Sequence, residues 1–138
     1  MASNVSEELR TQVARRAEHR CEYCLISEAD AGFSHQVDHV VSRKHGGSST
    51  ANNLAFACVL CNRHKGTDIA SIDLLTGKAV RLFHPRHDQW TDHFRLEGPV
   101  IAPISTCGAA TVRILRLNAP ERIAERRLLQ SLGRFPLR

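Results

Sequence analysis

Aromatic residues are scarce in this chain of 138 residues: one Trp, one Tyr and five Phe make up 5% of it. Leu, Ile, Val and Ala must therefore build most of any core. Lysine is scarce too, at three positions against sixteen arginines. No apolar run approaches the ~20 residues a bilayer-spanning helix needs, which argues against a membrane protein of that kind. The opening MASNVSEELR has no apolar stretch behind a charged start, so no secretory signal is visible and a cytoplasmic protein is expected. There is no internal repeat and no low-complexity tract. The length suits one domain, or one domain with an elaboration.

Basic residues, by contrast, are in excess. The net charge is +5. The planar fork of arginine grips phosphate, so a nucleic-acid partner is expected. Genome base composition is the plainer source of an arginine excess. A protein–protein scaffold with a merely solvated basic surface is the remaining class, and salt-sensitive DNA association would argue against it.

Five cysteines without an export signal are poor material for a disulfide framework. Four form two Cys-x-x-Cys pairs, Cys21 with Cys24 and Cys58 with Cys61, separated by 33 residues. Two such pairs can wrap a zinc ion tetrahedrally, one from each side. A thioredoxin-like redox role needs only one pair and a βαβ context, which is absent. A closed four-cysteine site leaves no open coordination position, so this zinc is structural. Cys107 stands alone and reads as a small buried apolar residue.

Local patterns place these pairs. Ser6 caps a first helix with Glu7 and Glu8 at its positive end, and Leu9, Val13 and Ala17 form its apolar stripe. The helix runs out near His19 and Arg20 and delivers Cys21 and Cys24 on a tight knuckle. Val37, Val40 and Val41 favour a short strand over 34–41. KHGGSSTANN is a loop by composition. LAFACVLCNRHKG begins extended and turns helical after Cys58, with Gly66 as its stop. A turn at Thr76-Gly77 leads to a strand over 79–83, and a strand pair surrounds Gly98-Pro99. Asn118, Ala119, Pro120 and Glu121 start a last helix with Ala124, Leu128 and Leu132 as its stripe, ended by Gly133.

Zinc closure brings Asp38 and His39 towards Asn62. Hydrolysis of a phosphodiester needs a base to take a proton from water and a hard cation to stabilise the charge that develops. His39 titrates near neutrality and can be the base. Asp38 and Asn62 offer oxygen ligands, which favour Mg²⁺ or Mn²⁺. Adjacent residues of a strand point to opposite faces, so Asp38 and His39 share a site only where the strand twists, ends or bulges. Lys65 lies three residues after Asn62 on the same side of the helix and could touch phosphate. Arg43 and Lys44 could meet backbone phosphates, and His35 shares the face of His39 in a regular strand.

CEYC, then VDHVVSRKHGGSSTANNLAFAC, then CNRHKG together resemble the HNH endonuclease family, in its four-cysteine branch. The resemblance covers Cys21 to Gly66. It implies a ββα-metal (HNH, or His-Me finger) core within an α+β protein, carrying a structural zinc on Cys21, Cys24, Cys58 and Cys61. It implies that His39 is the general base, that Asp38 and Asn62 hold the catalytic cation, and that Asn53 braces the loop backbone and so orients His39. Asn62 stands where the last histidine of the family's name often is, which points to Mg²⁺ rather than nickel or zinc. The later LFHPRHDQWTDHFRLEG and LRLNAPERIAERRLL resemble a C-terminal extension found in a bacterial group of these proteins. Residues 1–70 are thus expected to form the core and 71–138 a β-hairpin and helical extension packed on it. The expected function is metal-dependent hydrolysis of DNA, with RNA not excluded. A zinc-ribbon module that binds nucleic acid without cutting it is the alternative. Substrate specificity and oligomeric state are not legible.

Overall fold

The computed structural model describes residues 5–136, so the extreme ends of the two expected regions lie outside it. Ser6 does cap the first helix, α1 (Glu7–Arg16): its hydroxyl accepts from Leu9 N at 3.1 Å. Glu7 and Glu8 sit in the first turn and Arg15 and Arg16 in the last, each opposite in sign to the adjoining end of the helix dipole. Val13 and Ala14 are buried, with Leu9 and Ala17 packed beside them, against Leu54 and Phe56. The Arg16 guanidinium donates to the carbonyls of Ala51 and Leu54, which staples the helix to the strand that follows them.

Glu18 and His19 then take positive φ, at 55° and 58°, and turn the chain into the first cysteine pair. β1 (Gln36–His39) pairs antiparallel with β2 (Leu54–Ala57), His39 opposite Leu54 and Asp38 opposite Ala55. β1 is shorter than the expected 34–41. β2 is buried along its whole length and runs straight into α2 (Val59–Lys65). Gly66, at φ 53°, ends α2 and donates to Asn62 O.

β3 (Ala70–Ile72) and β4 (Ala79–Arg81) form one hairpin, β5 (Phe94–Glu97) and β6 (Val100–Pro103) another. α3 (Thr106–Ile114) has no counterpart in the pattern reading. Ser105 caps it by accepting from Gly108 N, and Thr111 accepts from Phe83 N at 2.8 Å, fixing α3 to the chain after β4. α4 (Pro120–Ser131) completes a small α+β protein with, among the described residues, four α-helices and three antiparallel strand pairs. No helix among them is long and apolar enough to cross a membrane.

One buried cluster runs from the four cysteines and Tyr23 through Phe83, Phe94 and Ile101 to Leu115, Leu129 and Phe135. Phe94 packs between Phe83 and Trp90, with ring centroids 5.3 and 5.0 Å away. Five of the seven aromatics, Tyr23, Phe83, Trp90, Phe94 and Phe135, belong to this cluster or pack on it, while Phe56 serves the smaller cluster under α1.

The expected stripe of α4 is corrected by the structure. Leu128 and Leu132 are 60% and 64% exposed, and Ala124 is exposed as well. The inward face carries Arg122, Arg126 and Leu129. Asn118 does not cap the helix either; its side chain bonds both N and O of Ile101, at 2.9 and 2.8 Å.

Candidate metal centre and active site

Each cysteine pair is a knuckle made by local geometry. Cys24 N points at Cys21 Sγ, and Cys61 N at Cys58 Sγ, both at 3.4 Å. Cys58 is also the residue that caps α2, so the second pair sits on the first turn of a helix. All four sulfurs lie within 4.8 Å of one another, all are buried, and none is in a disulfide. A zinc tetrahedron with bonds of about 2.3 Å has edges of about 3.8 Å. Cys24 Sγ and Cys58 Sγ, one from each pair, stand 3.7 Å apart. The cluster is therefore compatible with structural zinc, held by Cys21, Cys24, Cys58 and Cys61. Burial raises the Cys21 and Cys61 thiols well above the ordinary range, a cost that metal coordination removes by stabilising the thiolates.

The second group of residues gathers at the end of β1. The strand stops at His39, which is the condition under which neighbours on a strand can contribute to one site. His39 is half-buried, and its Nε2 lies 2.9 Å from Ser49 Oγ. Burial lowers its pKa, Arg43 and Lys65 add to the shift, and Asp38 opposes it.

Asn53 is buried and works as a three-way clamp. Its Oδ1 accepts from Val41 N at 2.9 Å, and its Nδ2 donates to Val41 O at 2.9 Å and to Ser48 O at 2.7 Å. Its own carbonyl accepts from Val40 N. The chain just after His39 and the chain just before Ser49 are thereby held on one side chain. Gly47 is required beside the clamp, because a Cβ there would stand 1.7 Å from Val41 O and 2.8 Å from Asn53 Nδ2.

Asp38 is 4% exposed, and both its oxygens are occupied. Tyr23 donates its hydroxyl to Oδ2 at 2.8 Å, and Lys65 Nζ lies 3.3 Å from both Oδ1 and Oδ2. Burial raises the Asp38 carboxyl above its usual value, and Lys65 and Tyr23 pull it back only in part. Lys65, 1% exposed, also donates to His39 O at 3.1 Å, so its ammonium ties α2 to the end of β1 rather than facing solvent. Asn62, one turn earlier on α2, donates through Nδ2 to Gln36 Oε1. Gln36 and Asp38 share a face of β1, so α2 lays Asn62 and Lys65 along that face.

The remaining sequence candidates lie farther out. Arg43 and Lys44 are exposed on a short 3₁₀ turn just beyond β1. His35 precedes the strand and is buried: its Nε2 meets Ile26 O at 3.0 Å and its ring packs on Phe56. It is not brought together with His39. Beside the site opens a cleft of about 410 Å³, lined among others by Val40, Val41, Lys65, Arg81, His84 and His87.

Residues 21–68 match the HNH endonuclease family. No curated protein and no solved structure matches the chain. The HNH segment runs from the first zinc-type cysteine to just past α2, so it contains both cysteine pairs, the His39 strand end and the Asn53 clamp. It covers well under half of the chain and leaves β3 to α4 outside. The family suggests nuclease-type chemistry and implies a nucleic-acid substrate.

Sequence reasoning did not identify Tyr23, Ser49 or the burial of Lys65. Tyr23 carried one signal, as the lone tyrosine placed between Cys21 and Cys24. Ser49 sits in a loop of serines and threonines that pattern cannot rank.

Proposed function

We propose that β1, β2 and α2 form a ββα-metal nuclease core, that residues 71 onward pack on it as an extension, and that the protein hydrolyses phosphodiester bonds of DNA. His39 is the general base. In the tautomer whose Nε2–H donates to Ser49 Oγ, the nitrogen that accepts the proton is Nδ1. A water oxygen bonds to phosphorus and its proton passes to His39; the P–O ester bond breaks, and the departing oxygen takes a proton from solvent, giving a phosphate monoester and a free hydroxyl. The observation that carries this reading is the Asn53 clamp, which holds the backbone on both sides of the His39–Ser49 pair and so keeps the imidazole aimed.

Asp38 and Asn62 Oδ1 would hold a divalent cation. Two oxygen donors suit Mg²⁺ or Mn²⁺; Tyr23 and Lys65 now hold both Asp38 oxygens, so a cation would bind there in place of the Lys65 ammonium. When bound, the cation supplies electrostatic stabilisation of the scissile phosphate. Arg43 and Lys44, exposed beside the strand end, contact the flanking phosphates.

One observation favours a second reading. Tyr23 and Lys65 together engage both Asp38 oxygens, a closed arrangement that suits a zinc-bound module gripping nucleic acid without cutting it. Plasmid DNA incubated with the purified protein in Mg²⁺ or Mn²⁺ separates the two. Nicking that is lost in His39→Ala, with zinc content and circular dichroism unchanged, supports the nuclease. A wild type that binds plasmid but leaves it intact in every divalent metal supports the binding module.

A further inference from the structure

From within the HNH segment the cysteine sulfurs accept the backbone N–H groups of Cys24 and Cys61, donors that carry no balancing charge. Four thiolates around a divalent zinc carry a net charge of about −2. That charge sits among sulfurs that are all buried. A buried charge without a partner is strongly destabilising. The structure supplies the partner from α4, which lies outside the matched segment.

Arg122 is 4% exposed. Its Nη2 donates to Cys61 Sγ at 3.0 Å and approaches Cys58 Sγ at 3.8 Å. Its Nη1 donates to Leu115 O at 2.8 Å and to Arg116 O at 3.2 Å. One edge of the guanidinium is thus anchored on two carbonyls while the other faces two sulfurs. Only a planar fork spans both sets; a lysine ammonium in this place would have to choose. Arg126, one turn later, is 2% exposed, and its side chain is spent on Pro99 O, Leu117 O and Asn118 Oδ1. It brings a second positive charge to the same helix face. This explains why α4 turns arginines inward and leaves Leu128 and Leu132 outside.

We propose that Arg122 is an outer-sphere member of the zinc centre, and that zinc loading and the docking of α4 are therefore coupled through charge-assisted N–H···S bonds. Cys61 and Cys58 are the two ligands it stabilises as thiolates. The inference rests on the zinc reading of the cluster and is independent of nuclease activity.

The test uses the full chain and a chromophoric chelator competing for zinc. Wild-type stoichiometry is measured first, and a wild type that holds no zinc overturns the proposal together with the zinc reading beneath it. Arg122→Met keeps the bulk and removes the charge; its zinc affinity should fall about 10- to 100-fold, the usual scale for losing an outer-sphere partner. Arg122→Lys keeps the charge and should recover at least part of that loss. In the cobalt-substituted protein the sulfur-to-cobalt charge-transfer band should move in Arg122→Met, a signature that lost packing alone would not produce. Excess zinc keeps the variants loaded while circular dichroism checks the fold. Should Arg122→Met stay unfolded even then, Arg122→Gln, which keeps one N–H donor group without the charge, takes its place. Wild-type affinity in the uncharged variant, or an unmoved cobalt band, overturns the proposal with the zinc site itself intact.

Discussion

At the scale of single residues, His39 and Lys65 carry the sharpest expectations. In a chain that cleaves plasmid DNA, His39→Ala should lower the rate by about 10²- to 10⁴-fold, the contribution of a general base. Burial lowers the His39 pKa. The base must be neutral to accept a proton, so its active form persists to lower pH than for a solvated imidazole. The acid limb of the rate profile should then fall below the ordinary value of about 6.5. An acid limb at or above that value would contradict the assignment. Lys65 is a different case. Its pair with Asp38 is buried on both sides, and removing one member of such a pair leaves an uncompensated charge. Lys65→Met should cost about 3–5 kcal/mol in urea unfolding. Added Mg²⁺ should restore part of it if Asp38 is the carboxylate that holds the cation. Asp38, His39 and Asn62 stood out in the sequence as a base and oxygen donors between the cysteine pairs, and Asn53 through the HNH resemblance; their catalytic roles belong to the proposal. The burial of Lys65 was not, since a lysine at the end of a short helix ordinarily faces water, and only the seat on Asp38 turns it inward.

At the scale of elements, capping and punctuation were readable wherever the signal is local. Ser6, Cys58 and Gly66 act within one helical turn of the backbone groups they serve, so their roles follow from neighbours in the chain. β1 and β2 were legible from branched and apolar runs. α3 was not: TCGAATVRI carries a glycine and four β-branched residues, all of low helix propensity, and its helix is held by Ser105 and by packing on the β3–β4 hairpin. α4 shows the same limit from the other side. Its apolar period was sound as a pattern and pointed to the wrong face, because arginines bonded to carbonyls and sulfur displaced leucines to the surface. Substitution should expose this directly. Leu128→Gln should change stability by no more than about 0.5 kcal/mol, whereas Leu129→Ala, one residue on, should cost about 2–5 kcal/mol. Chemical denaturation of both variants checks it, and equal costs would restore the simpler stripe.

At the scale of the whole molecule, the cysteines belong to the same buried cluster as Phe83, Phe94, Leu115 and Leu129, so the candidate zinc site and the larger of the two apolar clusters are one body. Chelating the zinc should therefore not loosen residues 21–68 alone. It should abolish near-ultraviolet circular dichroism and thermal cooperativity across the chain, with recovery on adding zinc back. Retention of a cooperative transition in the chelated protein would show that the core stands without metal. The amino-acid sequence by itself determined what acts over short chain distances: the two Cys-x-x-Cys knuckles, the Ser6 cap of α1 and the Gly66 stop of α2. It also pointed to a class of chemistry, since residue type and spacing decide which ions and protons can be handled, and the HNH match of residues 21–68 suggests the same class. Only the tertiary structure decided which partner each group meets across the fold. Asp38 against Lys65, Asn53 across the base of its loop, and Arg122 on a sulfur 61 residues away are pairings between distant segments. Local preference does not encode such meetings; they are selected when packing buries a charge and leaves one neighbour able to balance it.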